Sequence, residues 1–289
     1  RNKISRFQIG GDNGYALVIV DECHGITPTI RGIIDAMRLA NPYLRVLGLT
    51  ATPYRLGSGY IFNQHPNGKC NDETTAKAPY FEKCVYQIGA RELIKQGYLT
   101  PPVIGSTSGE AYDTSGLVAN ARGQFDADAV DRAYHGQGRK TAAIVADIVA
   151  QSQNRQGVLL FAATVKHAEE VLASLPPQIS AIVTGATPKA ERARLLKHFL
   201  DRKIKYLVNV SVLTTGFDAP HVDVVALLRK TESVGLLQQI IGRGLRLDDG
   251  KADCLVLDYT TNIADHCPDG DLFAPIIQAV PTGKKGSKV

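Results

Sequence analysis

The chain has 289 residues, 44% of them hydrophobic and 21% charged, a balance that excludes intrinsic disorder and collagen-like repeats and suits about two domains. Its 33 Lys+Arg against 28 Asp+Glu leave a formal net charge of +5, which permits a polyanionic partner without requiring one. No apolar run approaches the ~18 residues of a membrane helix, so no membrane partner is expected. Five dispersed cysteines make no disulfide framework, and no signal-peptide pattern opens the chain, so the expected setting is the reducing cytoplasm. The chain starts Arg1-Asn2-Lys3 and ends in a Lys/Gly run, so a fragment of a longer protein is expected.

The first element is the apolar run Ala16–Val20, which predicts a parallel strand buried on both faces. It leads directly into Asp21-Glu22-Cys23-His24. A helix follows, with Thr29 as its expected cap and Ile30, Ile33, Ile34 and Met37 as its apolar stripe. A second strand, Arg45–Leu49, runs into Thr50-Ala51-Thr52-Pro53. Residues 57–79 turn polar and read as a surface insertion. A strand over Cys84–Ile88 and a helix over Arg91–Gln96 are expected before Gly97, and Pro101-Pro102 is expected to stop regular structure.

Residues 103–137 are weakly patterned and read as a connector. A second alternating block then begins with a helix over 139–152 and a strand over Val158–Ala162. A helix carrying Ala168, Val171, Leu172 and Leu175 leads to a strand over Ile179–Val183. Thr187, with Pro188 behind it, predicts the cap of a helix whose core face is Ala193, Leu196, Phe199 and Leu200. Strands Tyr206–Val210, Val222–Leu227 and Cys254–Leu257 complete the block. Strands alternating with helices imply an α/β fold with parallel sheets covered on both faces. The expected division is a partial first domain over 1–102, the connector over 103–137, a second domain over 138–265 and a basic C-terminal tail over 266–289.

Ligands of open α/β sheets sit at the carboxyl ends of strands. Asp21 and Glu22 stand at such an end. Adjacent carboxylates there can divide nucleotide hydrolysis, one holding Mg²⁺ through water and the other taking a proton from the attacking water. Thr50 and Thr52 end the next strand, where a capping turn before Pro53 would by itself account for them. Leu213-Thr214-Thr215-Gly216-Phe217-Asp218-Ala219-Pro220 follows another strand. Gly216 allows close backbone approach, and Asp218 offers an acceptor to a ribose or to a basic side chain. The sharpest pattern is Gln239, Arg243 and Arg246 at i, i+4 and i+7, one stripe of a helix, opposite Leu236, Leu237, Ile240 and Ile241. Guanidinium groups in such a row suit forked phosphate recognition, although Gly242 and Gly244 favour a helix end before Arg246.

Taken together, Asp21-Glu22-Cys23-His24, Thr50-Ala51-Thr52, Phe161-Ala162-Ala163-Thr164, Thr214-Thr215-Gly216-Phe217-Asp218 and Gln239…Gly242-Arg243…Arg246 resemble motifs II to VI of the superfamily 2 DEAD/DEAH-type helicases, in order and in spacing. Within them the sequence is most similar to the RadD family of bacterial DNA repair proteins. The resemblance implies two RecA-like parallel-sheet domains, the first truncated at its N-terminus, and an ATP-dependent DNA helicase or translocase. It implies ATP and Mg²⁺ as cofactors, with Asp21 as the Mg²⁺ carboxylate and Glu22 as general base. His24, Thr50 and Thr52 would couple the nucleotide state to domain movement. Gly216 and Asp218 would approach the nucleotide, Gln239 would help place the water or meet the γ-phosphate, and Arg243 and Arg246 would contact the phosphates, one as the finger. Thr164 would touch a nucleic-acid phosphate. The implied partners are single-stranded or branched DNA and a single-stranded DNA-binding protein, and the implied setting is the bacterial cytoplasm. The resemblance implies a zinc-binding region only beyond this chain, and His65, Cys70 and Cys84, which lack any C-x₂–₄-C pair, support no zinc site within it. A restriction-enzyme motor subunit, an RNA helicase and a non-catalytic nucleic-acid-binding module are the rival readings.

One part of the motor pattern is not found in this sequence. Such helicases cradle phosphates in a Gly-rich loop ending in Gly-Lys-Thr or Gly-Lys-Ser. Gly136-Gln137-Gly138-Arg139-Lys140-Thr141 lacks the Gly before Lys140, and Gly68-Lys69-Cys70 lacks the hydroxyl. The 289-residue chain alone is therefore expected to show no appreciable ATP hydrolysis with saturating single-stranded DNA and Mg²⁺. Turnover that persists through purification and vanishes in Glu22→Gln would contradict this.

Overall fold

The computed structural model describes residues 14–55, 59–70, 79–107, 109–120, 124–213, 217–275 and 277. These residues form two compact units, one within residues 14–87 and one within 88–275.

The first unit begins with strand β1 (Leu17–Val20), helix α1 (Pro28–Ala40) and strand β2 (Arg45–Gly48), with β1 and β2 paired in parallel. The α1 cap is Thr27, not Thr29: the Thr27 hydroxyl accepts from Ile30 N–H at 3.3 Å, which leaves Pro28 at the first helical position, where its missing N–H costs nothing. Ile34 and Met37 of α1 pack with Ile26 and Leu44 under Val18, Val20 and Val46. Expected burial on both faces of β1 is not met. Val18 and Val20 reach this core, whereas Leu17 and Ile19 are 50% and 58% exposed, because alternate residues of a strand face opposite ways.

Short strands β3 (Tyr54–Arg55) and β4 (Gly59–Tyr60) form an antiparallel pair, and β5 (Phe62–Gln64) pairs in parallel with β6 (Phe81–Lys83). The expected surface insertion is thus partly core: Ile61 and Phe62 are buried with Cys23. Strand pairing falls on β6 rather than on Cys84–Ile88, where Val85 and Tyr86 are exposed.

The second unit contains α2 (Ala90–Lys95), β7 (Pro102–Ile104), α3 (Ala127–Tyr134), α4 (Gly138–Gln151), β8 (Gly157–Ala162), α5 (Val165–Ser174), β9 (Ser180–Val183), α6 (Lys189–Leu200), β10 (Tyr206–Asn209), β11 (Val222–Leu228), α7 (Val234–Gly242), β12 (Cys254–Asp258) and α8 (Asn262–His266). Its six strands make one wholly parallel sheet in the order β7-β12-β11-β8-β10-β9. Period-2 alternation splits each central strand between two cores. Leu159, Phe161, Val225 and Leu227 pack with Phe199 of α6, Leu237 and Ile240 of α7 and Ile263 of α8. Val158, Leu160, Val224 and Ala226 pack with Tyr134 of α3, Ile144 and Ile148 of α4 and Val171 of α5. This is the RecA-like α/β arrangement with both faces covered. The β8–β11 register shifts between Val222 and Val224, where the Asp223 carboxylate accepts from Gln156 N–H at 2.9 Å and Gly157 N–H at 3.0 Å.

Several local expectations are corrected here. Pro102 does not stop regular structure; it opens β7, an edge strand, at a first position where proline is tolerated. The stretch expected to be a connector contributes β7, α3 and the buried side chains of Tyr112 and Leu117. Thr187 does not cap α6. Its hydroxyl accepts from Thr184 N–H at 2.9 Å within a turn, and Pro188 holds the cap position. Only Phe199 of the expected α6 face is fully buried, with Leu195 and Leu196 beside it, while Ala193 and Leu200 are exposed. Cys267 and Leu272 belong to the second unit's core, and the Lys/Gly run lies outside the described residues.

One buried polar cluster links the sheet to the segment that crosses its face. His167 of α5 stacks on Tyr134, with 5.1 Å between ring centroids, and its Nε2 lies 2.8 Å from the Tyr112 hydroxyl. Its Nδ1 accepts from Ala163 N–H at 3.3 Å, so Nε2 carries the proton, and Tyr112 donates onward to Thr141 Oγ1 at 3.1 Å. Burial depresses the His167 pKa from 6.5 to about 4. Between those values the unfolded chain binds the extra proton. The contribution to stability is therefore full above pH 6.5 and is lost as pH falls towards 4. Denaturation at pH 7 and pH 4.5 is expected to show wild type losing roughly 2–3 kcal/mol more than His167→Phe. Equal losses in the two proteins would show that His167 does not titrate in this window.

Candidate functional site

In the first unit the site is built at the ends of β1 and β2. Cys23 N–H donates to the Leu49 carbonyl at 3.0 Å, which joins the two strand ends. Glu22 adopts the left-handed conformation, φ 47°, and its N–H donates to Asp21 Oδ1 at 2.8 Å. A non-glycine residue held in that region is strained, and such strain gathers at functional sites. Asp21 and Glu22 are both exposed. A single turn of 3₁₀ helix, Cys23–Gly25, then carries His24 inward.

His24 Nδ1 lies 2.9 Å from Thr50 Oγ1, 3.4 Å from Thr52 Oγ1 and 3.3 Å from Glu22 Oε2. Thr50 Oγ1 also accepts from Thr52 N–H at 3.0 Å. Four of the residues singled out in the sequence therefore form one bonded cluster. Burial lowers the His24 pKa and Arg55 lowers it further, while Glu22 opposes them. Burial pushes the Cys23 thiol up to about 11, so it is not a nucleophile at neutral pH.

In the second unit the Ser233 hydroxyl caps α7 by accepting from Leu236 N–H at 3.2 Å, and Val234, Leu237, Ile240 and Ile241 anchor the helix in the core. Gln239 is half-buried on it. The helix ends at Gly242, with Arg243 as its C-cap. Arg246 lies past the end, so the three residues do not form one helical stripe. The chain turns at Gly244, where a side chain would collide with Cys254 and Val225.

The two arginines nevertheless converge. Arg243 Nη1 donates to the Phe217 carbonyl at 2.8 Å, and Arg246 Nη1 donates to the same oxygen at 3.1 Å. Arg246 also pairs with the Asp218 carboxylate, so the acceptor Asp218 offered is taken here by a basic side chain. The Asp218 side chain is 72% exposed and that of Arg246 35%. An ion pair so open to water is worth at most about 1 kcal/mol, so a phosphate can displace the carboxylate at little cost. The Phe217 carbonyl was not singled out in the sequence, because a backbone acceptor has no residue-type signal. Gly216, with Thr214 and Thr215, lies outside the described residues. Thr164 stands elsewhere, after β8, where its hydroxyl caps α5 by accepting from His167 N–H at 3.2 Å.

One exposed carboxylate, Asp21, suits Mg²⁺, which keeps most of its waters and takes few protein ligands. Among the described residues no group of three or more His, Cys, Asp or Glu could hold a metal ion.

Residues 140–248 match the family model described as the helicase conserved C-terminal domain. A Schizosaccharomyces pombe protein named as the mitochondrial ATP-dependent helicase irc3 is 29% identical over 86% of this chain and 39% of its own length. A fragment structure from Vibrio vulnificus, named as the HsdR subunit of a type I restriction enzyme, is 25% identical, with a TM-score of 0.64 over 91% of this chain and 47% of that one. The Type ISP restriction-modification enzyme LlaBIII bound to DNA shares the fold, at 15% identity and a TM-score of 0.55 over 85% of this chain and 18% of that one. The chain spans between 33% and 50% of the length of the curated relatives it matches.

The cap geometry has a direct consequence for Thr164. Thr164→Ala is expected to destabilise the chain by about 1 kcal/mol, whereas Thr164→Ser, which keeps the acceptor, should be near neutral. Urea denaturation compares them, and equal midpoints for wild type and the Ala variant would remove the capping role.

Proposed function

We propose that the chain is part of a DEAD/DEAH-type helicase of superfamily 2, a reading supported by the helicase C-terminal domain match over residues 140–248, and that its parent protein is an ATP-dependent DNA helicase or translocase of RadD type, acting in DNA repair in the bacterial cytoplasm. The observation that carries this reading is the convergence of Arg243 and Arg246 on the Phe217 carbonyl beside Asp218. It supplies two aimed guanidinium groups held by bonds that a phosphate can replace.

In this reading the residues divide the work. ATP with Mg²⁺ supplies the phosphoryl group whose transfer releases the energy of the cycle. Asp21 would hold the Mg²⁺. Glu22, exposed beside it, accepts the proton of the attacking water, and its left-handed backbone fixes where that carboxylate stands. His24, whose pKa partial burial lowers, transmits the position of Glu22 to the hydroxyls of Thr50 and Thr52. Gln239 orients the water or the γ-phosphate, and approach to the nucleotide is the role proposed for Gly216. Arg243 and Arg246 meet the phosphates, with Asp218 receiving Arg246 when no phosphate is present. Thr164 adds a nucleic-acid phosphate contact to its cap. The proposed partners are single-stranded or branched DNA and a single-stranded DNA-binding protein.

A second reading, a restriction-enzyme motor subunit, is favoured by the likeness to the HsdR fragment. Both readings require DNA-stimulated hydrolysis, and an endonuclease activity in the parent protein separates them.

The test is made in the parent protein carrying a phosphate-binding loop. Arg243→Ala and Arg246→Ala are each expected to lower DNA-stimulated turnover by on the order of 10³–10⁵ while DNA affinity is retained. Lysine should not rescue either, because a point charge cannot reproduce the planar fork. Turnover within a few-fold of wild type in a normally melting Arg246→Ala protein would remove the phosphate role.

A further inference from the structure

Because Arg246 lies beyond α7, helix geometry does not aim it. Its backbone does. The Arg246 carbonyl accepts from Lys251 Nζ at 2.7 Å and from the Thr100 hydroxyl at 3.1 Å. One residue earlier, the Leu245 carbonyl accepts from Thr100 N–H at 2.7 Å. Thr100 is itself 2% exposed, on the segment that leads into β7.

The Lys251 ammonium donates a second bond, at 3.0 Å, to the carbonyl of Pro220. Pro220 ends the same segment, Phe217-Asp218-Ala219-Pro220, that receives the Arg246 guanidinium. The two segments are thus tied twice. Arg246 reaches across to Phe217 and Asp218 with its side chain, and Lys251 joins the Arg246 main chain to Pro220. Lys251 is held in turn by a tight turn, in which its N–H donates to the Asp248 carbonyl at 3.2 Å and Gly250 takes φ 77°. Burial pulls the Lys251 pKa down, while Asp223 and Asp248 act to keep the ammonium charged. A lysine suits this place because one flexible stem presents three donors at a single point, enough for two carbonyls that have no helical partner.

We propose that Lys251, with Thr100 as a second strut, is the positioning residue that sets where the Arg246 guanidinium stands. This rests on the reading of Arg246 as a phosphate contact. Lys251 touches no substrate in this scheme. It fixes the main chain from which Arg246 swings between Asp218 and a phosphate oxygen.

Two measurements test it. In the 289-residue chain, guanidinium ¹⁵N NMR should show a slowly rotating Arg246 signal, identified by its loss in Arg246→Lys. Lys251→Met keeps the stem and removes the donors, and it should move this signal towards that of a free arginine in a chain that remains folded. Thr100→Val should move it less, in the same direction. In the loop-bearing parent protein, Lys251→Met should lower kcat by up to about 10²-fold with KM for ATP and DNA affinity unchanged, the size expected of a misplacement near 1 Å. Lys251→Arg should recover most of the loss. An unmoved Arg246 signal in folded Lys251→Met, or wild-type kcat in that variant, overturns the proposal. If Lys251→Met does not fold, an unmoved signal in Thr100→Val overturns it. If the signal moves but the parent hydrolyses no ATP, the helicase reading fails while the placement of Arg246 by Lys251 stands.

Discussion

Parallel pairing is the constraint on which the second unit depends. Strands that run the same way need crossovers to return the chain, and the crossover helices cover both faces of the sheet. Every strand then ends at the same edge. Thr164 follows β8, the segment leading to Phe217 and Asp218 follows β10, and Arg229 follows β11. Thr164 and Arg229 stand at that edge, whereas Phe217, Asp218 and Arg246 lie just ahead of the starts of β11 and β12, and the buried strands provide the frame for both sets. In the first unit the same rule places Asp21 after β1 and Thr50 after β2.

On that frame, two kinds of polar bond serve different ends. The inner ones are buried and join distant parts of the chain, such as the His167–Tyr112–Thr141 chain and the Thr231–Asn262 pair at 2.7 Å. Breaking them would leave polar groups dry, so they specify one arrangement. The outer ones, such as Arg246–Asp218 and Arg229–Glu232, reach water and bind weakly. A residue that must change partners belongs in the second class, while the backbone beneath it belongs in the first. Arg246 shows both, with a side chain on an exposed carboxylate and a carbonyl held by Lys251 and Thr100.

Strain is placed in the same economical way. Described non-glycine residues with positive φ include Glu22 and Ser211, each at or just past the end of a strand. At Glu22 the local cost is offset by the Asp21 acceptor and by His24, both within bonding reach. At Ser211 a bond of 2.8 Å from Arg229 Nη1 to the hydroxyl holds the start of the segment that continues to Phe217.

By itself the sequence determined the alternation of strands and helices, the strands of the second block, and the membership of Glu22, His24, Thr50 and Thr52, and of Asp218, Arg243 and Arg246, in its short motifs. Those features are legible because burial imposes a period on apolar residues and because several short motifs recur in a fixed order and spacing, which no single charged residue could signal. Tertiary structure decided the rest. Thr27 rather than Thr29 caps α1, since the cap must accept from an N–H three residues on, and Pro102 enters an edge strand because β12 was free to pair with it. Leu17 and Ile19 stand exposed although their run is uniformly apolar, since a run of hydrophobic residues does not say which faces acquire a neighbour. The anchors of Arg246 were invisible for a simpler reason. The Phe217 and Pro220 carbonyls are backbone atoms that every residue carries, and Thr100 lies 146 positions away from its partner, so only the folded chain brings them together.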